Sequence, residues 1–147
     1  MIFHPQDGTY ILGSSFDRLI TTYRTAVVPQ FHEDHGVIRH HDSWMLLEVE
    51  GDIQAYYASI VRREFGVKLQ TRSLWPTHVS VIRGETISQG TWGEHEGKVV
   101  PFQYSHDIYT NGTHWWLNVE CQELEDIRSS HGLQSTPGFL HLTIGRL

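Results

Sequence analysis

A chain of 147 residues, 39% hydrophobic and 19% charged, is about one globular domain with room for a real core. No apolar run is long enough to cross a membrane and no basic-then-apolar leader opens the chain; with a single cysteine, Cys121, this excludes an internal disulfide and predicts a cytoplasmic protein with no membrane partner. A formal net charge of −6 argues against long nucleic acid, which needs many Lys and Arg contacts to phosphate, but leaves room for a small nucleotide in a focused pocket.

Thr9 to Gly13 reads as a short strand. Ser14 or Ser15 then caps a helix in which Phe16, Leu19, Ile20, Tyr23 and Val27 recur at helical spacing until Pro29. Phe31 to Gly36 reads as a polar loop, Val37 to His40 as a strand, and His41-Asp42-Ser43 as a turn. Trp44 to Glu50 is a strand with a buried pattern. Asp52 caps the next helix, whose stripe is Ile53, Tyr56, Tyr57, Ile60, Val61 and Phe65, with Gly66 placed for a left-handed stop. A loop carrying Trp75-Pro76 leads to the strand His78 to Arg83. Residues 84–98 read as a long surface loop. Val99 to Thr110 is extended, Asn111-Gly112 marks a hairpin turn, and Trp115 to Glu120 returns. A short helix with Leu124, Ile127 and His131 on one face stops at Gly132, and Pro137-Gly138 leads into a last strand, Phe139 to Arg146.

Two strands share one grammar. His78-Val79-Ser80-Val81-Ile82-Arg83 and His141-Leu142-Thr143-Ile144-Gly145-Arg146 both read His, aliphatic, hydroxyl, aliphatic, any residue, Arg, 63 residues apart (141 − 78). Side chains two apart on a strand share a face, so each His looks out with its hydroxyl. Each motif closes a strand-helix-strand unit, and Trp44…Val49-Glu50 echoes Trp116…Val119-Glu120. This is an internal duplication. It predicts two lobes related by a rough twofold, with the two His strands facing across a cleft. An imidazole titrates near neutrality, so one of a facing pair can take a proton while the other gives one. Ser80 and Thr143 suit the non-bridging oxygens of a phosphate. With no carboxylate in the constellation, an anionic phosphodiester is the favoured substrate, and no metal or cofactor is needed to stabilise the added charge.

This pair of motifs resembles the 2H phosphoesterase superfamily, which includes RNA-ligase-like bacterial cyclic phosphodiesterases and phage nucleases that destroy cyclic-nucleotide immune signals. The resemblance covers roughly residues 37–147, and Phe139 to Arg146 is especially similar to the family's second motif. It implies an α+β fold of two lobes, with duplicated strand-helix-strand units and antiparallel sheets facing a central cleft. The units would span 37–83 and 99–147 of one domain, with residues 1–36 as an extension that covers the cleft or completes the sheet. It implies that His78 and His141 are the acid–base pair and that Ser80 and Thr143 bind phosphate. The implied activity is metal-independent cleavage of phosphodiesters next to a ribose 2′-OH. The implied substrate is a small cyclic nucleotide, a cyclic oligonucleotide or a short RNA, in a host cytoplasm if the protein is phage-encoded. RNA end processing and a non-catalytic nucleotide-binding module are the alternatives.

Other residues carry weaker signals. Arg83 and Arg146 lie five after each His, an odd offset that puts them on the opposite face of a flat strand as solvated or inter-lobe residues, unless a strand end or bulge turns them to contact the substrate phosphate. Trp75 and Tyr104 are the best candidates for stacking a base. His32-x-x-His35 with His40 and His41 is a conceivable metal cluster, but it lacks a carboxylate or Cys at ligand spacing and reads as solvent-exposed histidines. Cys121, beside a helix start, reads as a small buried residue.

Overall fold

The computed structural model describes residues 31–135 and 140–147, and the backbone of residues 2–4 and 9–11. The helix expected from Ser14 to Val27, and Pro137, Gly138 and Phe139, lie outside the described residues.

Two β-β-α-β units follow one another. The first is β3 (Phe31–His41), β4 (Trp44–Glu48), α1 (Asp52–Phe65) and β5 (His78–Arg83). The second is β6 (Val99–Thr110), β7 (His114–Glu120), α2 (Gln122–Ser130) and β8 (His141–Arg146). Each is the expected strand-helix-strand with one more hairpin strand in front. Two short strands, β1 (Ile2–His4) and β2 (Thr9–Ile11), precede them, and β1 pairs with the end of β6, so this part of the N-terminal segment extends the sheet.

Every pairing between these strands is antiparallel. Within a unit the strands pair in chain order. The units join twice, β3 to β6 and β5 to β8, so six strands close a ring. The fold is therefore α+β with duplicated units, but the strands belong to one continuous sheet rather than to two sheets facing a cleft. The two His strands are neighbours, joined at Val79 and Leu142.

The helices form for the reasons their sequences give. In α1, Ile53, Tyr57, Ile60 and Val61 bury one stripe, and Gly66 ends it with φ 67°, its N–H bonded to the Arg62 carbonyl. Gly51, not Asp52, occupies the cap; Asp52 is the first helical residue, where its charge suits the positive end of the helix. In α2, Leu124 and Ile127 are buried, and Cys121 caps the start by accepting the Leu124 N–H at its sulfur. Both helices add to one apolar core with Leu47, Val79, Leu117 and Leu142.

One element departs from the sequence reading. Residues 31–36 are strand, not loop. Phe31 to Val37 pairs with β6, and Val37 to His41 pairs with β4. The polar run reads as loop because much of its surface faces solvent, while its backbone pairs with β6 along one edge. Among the described residues no helix is long and apolar enough to cross a membrane.

Candidate active site

Val79 and Leu142 are fully buried, and each sits between a His and a hydroxyl. Strand alternation turns those polar neighbours to the other face. The antiparallel register through this pair sets His78 against Thr143, and Ser80 against His141. The four residues singled out in the sequence thus form one compact patch, on adjacent strands rather than on opposing walls. His78, His141 and Thr143 are half-buried and Ser80 is buried.

Both Arg residues join the patch, and the reason is the same in each unit. On β5, Ser80 pairs with Leu46 but Ile82 pairs with Met45, so Val81 is an extra residue. On β8, Thr143 pairs with Trp116 but Gly145 pairs with Trp115, so Ile144 is an extra residue. Each bulge falls three residues after its His. One added residue shifts the alternation by one, returning Arg83 and Arg146 to the face of their histidines. Arg83 Nη2 lies 3.4 Å from His141 Nε2. Arg146 lines a groove with His78 and Thr143. Arg83 thus reaches the histidine of the neighbouring strand, and Arg146 shares a groove with the neighbouring His78. The bulge on β5 is held by Arg128, whose Nη1 donates to the Val81 carbonyl at 2.8 Å. The same guanidinium donates to both Glu85 oxygens, at 2.7 and 2.8 Å, which lowers the Glu85 pKa and raises that of Arg128.

The state of His78 is fixed by its surroundings. Nδ1 is 2.7 Å from the Pro76 carbonyl, which can only accept. Nδ1 therefore carries the hydrogen and Nε2 offers its lone pair. Burial pushes the His78 pKa below its usual value, outweighing the Pro76 hydrogen bond and the Glu48 carboxylate, which push it up. The contact of Arg83, a pure donor, with His141 Nε2 likewise makes that nitrogen an acceptor.

Gln54 of α1 ties the parts together. Its Nε2 donates to the Thr71 and Thr143 carbonyls at 3.3 and 3.4 Å, and its Oε1 accepts from the Thr77 hydroxyl at 2.8 Å. One side chain thus holds the residue before His78 and the strand of His141. The groove it borders, about 350 Å³, is lined by Gln54, Trp75, His78, Thr143 and Arg146 together with residues 70–74. A larger hollow of about 640 Å³ lies elsewhere, lined by Glu33, Glu120, Glu123 and Glu125. Four carboxylates repel an anion, so the smaller groove is the better phosphate site despite its size.

Trp75 is where the sequence placed it, its ring centroid 6.0 Å from that of His78. Tyr104 is not. It packs against the core, stacked on His32 at 5.4 Å and 6.2 Å from Tyr57. The cause is alternation: Tyr104 shares a strand face with Val100 and Phe102, which are core residues.

Sequence reasoning missed three neighbours. Glu48 is the register partner of His78, and Asn118 holds the matching place opposite His141. Glu48 Oε1 is 3.1 Å from His41 Nε2, so a carboxylate does stand beside the His pair, contrary to expectation. Trp116, opposite Thr143, brings its ring 5.8 Å from that of His141. The repeated Val-Glu at 49–50 and 119–120, aligned with the two His motifs, would have matched Glu48 to Asn118; it matches Trp44 to His114, not to Trp116.

The histidines of β3 do not converge. His35 is exposed, His32 stacks on Tyr104, His40 Nδ1 meets Glu96 Oε1 at 2.7 Å, and His41 meets Glu48. Burial raises the Cys121 pKa, so its thiol stays protonated at neutral pH. Comparison of the chain with protein-family models, with curated proteins and with solved structures finds no match.

Proposed function

We propose that the protein is a phosphodiesterase of the 2H type that acts beside a ribose 2′-OH. The observation that carries this reading is the doubled motif: two histidines, two hydroxyls and two guanidiniums on one face of neighbouring strands, with matching bulges. His78, neutral and anchored through Nδ1, takes the proton of the attacking hydroxyl at Nε2. That oxygen forms a bond to phosphorus as the bond to the leaving oxygen breaks. His141, protonated from solvent with its Nε2–H turned from Arg83 to the substrate, gives that proton to the leaving oxygen. Ser80, Thr143, Arg83 and Arg146 hold the non-bridging oxygens, whose charge grows in the transition state. Trp75 offers a face for a base. None of these groups has to be a metal ligand for the step to balance.

The groove volume lies in the range of small-ligand sites, and with the acidic chain favours a small cyclic nucleotide or cyclic oligonucleotide over large RNA. The test is product analysis with 2′,3′-cyclic nucleotides, cyclic dinucleotides and short RNA, each beside its 2′-deoxy analogue where one exists. Turnover of a ribose substrate is expected, with the 2′-deoxy form of any 3′–5′ linkage resistant. Equal cleavage of the deoxy form would refute attack by the 2′-OH. Binding without turnover of any of them would make the protein a nucleotide-binding module instead.

A further inference from the structure

We propose that Glu94, His95 and His131 form a binding site for one zinc-like divalent metal ion, separate from the His78 and His141 patch. Glu94 and His95 lie in the long segment between β5 and β6, and His131 follows the last turn of α2. One ligand atom of each lies within 4.8 Å of the other two. Glu94 Oε1 is 3.5 Å from His95 Nε2 and 3.8 Å from His131 Nε2. Tetrahedral zinc with bonds of about 2.0–2.1 Å spaces its ligand atoms roughly 3.4 Å apart, and both distances from Glu94 lie within a few tenths of an ångström of that spacing.

The state of the nitrogens points to a ligand. The side chain of His131 is fully buried, and its Nε2 has no hydrogen-bond partner. His95 Nε2 is likewise buried and unpartnered. An orphaned buried ring nitrogen costs free energy unless something takes its lone pair. His131 Nδ1 is meanwhile 3.0 Å from the Gln89 carbonyl, to which it donates. That bond fixes the tautomer and turns the Nε2 lone pair toward Glu94, the arrangement by which metal-bound histidines are oriented. The chain bends closely around the site. Gly90 has φ 72°, and a Cβ there would come within 2.7 Å of Glu94 Oε1 and 2.8 Å of His131 Nδ1.

Two imidazoles and one carboxylate suit zinc, with cobalt(II) as its spectroscopic substitute. Glu94 and His95 reach the surface, so the fourth position is open to water. The ion would clamp residues 84–98, which contain neither helix nor strand, to the end of α2. The Ser88 N–H bond to the His131 carbonyl already starts that join. Because Arg83 and Glu85 sit at the root of this loop, the clamp also steadies the end of β5.

The test is metal retention by the full chain, stripped with chelator and then given zinc or cobalt(II). After gel filtration one metal ion per chain is expected, and cobalt should give visible absorption bands of four- or five-coordinate geometry. Zinc should raise the Tm. The double variant His78→Ala/His141→Ala should still retain one ion. His95→Ala, partly exposed and so tolerable to the fold, and Glu94→Gln should each weaken retention at least about tenfold and abolish the zinc-induced rise in Tm. The proposal is overturned if the wild-type chain retains no metal, if either of these single variants retains it fully, or if retention is lost only in the His78/His141 double variant.

Discussion

His78 is buried enough to be neutral at neutral pH and bonded so that one nitrogen faces the patch. Its pKa falls below the ordinary histidine value of about 6.5. In its proposed role as base His78 must be deprotonated to act, so the acid limb of kcat/KM should have its midpoint below about 6.5. Glu48 opposes the depression, since a nearby carboxylate favours the imidazolium. Glu48→Gln should therefore shift the limb to still lower pH, readable from pH–rate profiles of the two proteins. A midpoint at or above the ordinary value in the wild type, or an upward shift in the variant, would contradict this. Stability follows the same sign. A folded pKa below the unfolded one favours folding fully above the unfolded value, and that advantage is lost as pH falls through the folded value.

Between residue and fold stands the bulge. The four central residues were legible in the sequence because a period of two needs no partner strand. Arg83 and Arg146 stayed undecided between two faces, because a bulge is a relation between two strands and leaves no mark in the sequence of one. Tyr104 was misplaced for a related reason: alternation gave its face but not which face met the core. The strand at 31–36 was missed because its polar side chains masked a backbone paired with β6. Arg128 makes the bulge on β5 testable. It is 2% exposed, and it satisfies both the Val81 carbonyl and Glu85. Arg128→Ala leaves that carbonyl unpaired and should cost about 3 kcal/mol, a fall in Tm of roughly 6–12 °C for a chain of this size. Thermal unfolding followed by circular dichroism reads it directly. An unchanged Tm would show that the bulge stands without its support.

At the scale of the whole molecule, a duplicated β-β-α-β unit closes a six-stranded ring and brings two copies of one motif side by side. The duplication was readable from two hexads 63 residues apart; their adjacency within one sheet was not, because long-range pairing depends on how the units dock. The copies are no longer equivalent. Glu48 stands beside one His and Asn118 beside the other, and Nδ1 of His78 is anchored to Pro76. A symmetric frame with unequal histidines is what a reaction needs when one group takes a proton and the other gives one. The claim that both histidines work in one step is tested most directly by a double-variant cycle. On any ribose phosphodiester that the wild type turns over, kcat/KM is measured for His78→Ala, His141→Ala and the pair, with circular dichroism confirming the fold. Each single change should lower the rate about 10²–10⁴-fold, and the double change should cost far less than the product of the two. Full activity in either single variant, or losses that simply multiply, would contradict a shared acid–base step.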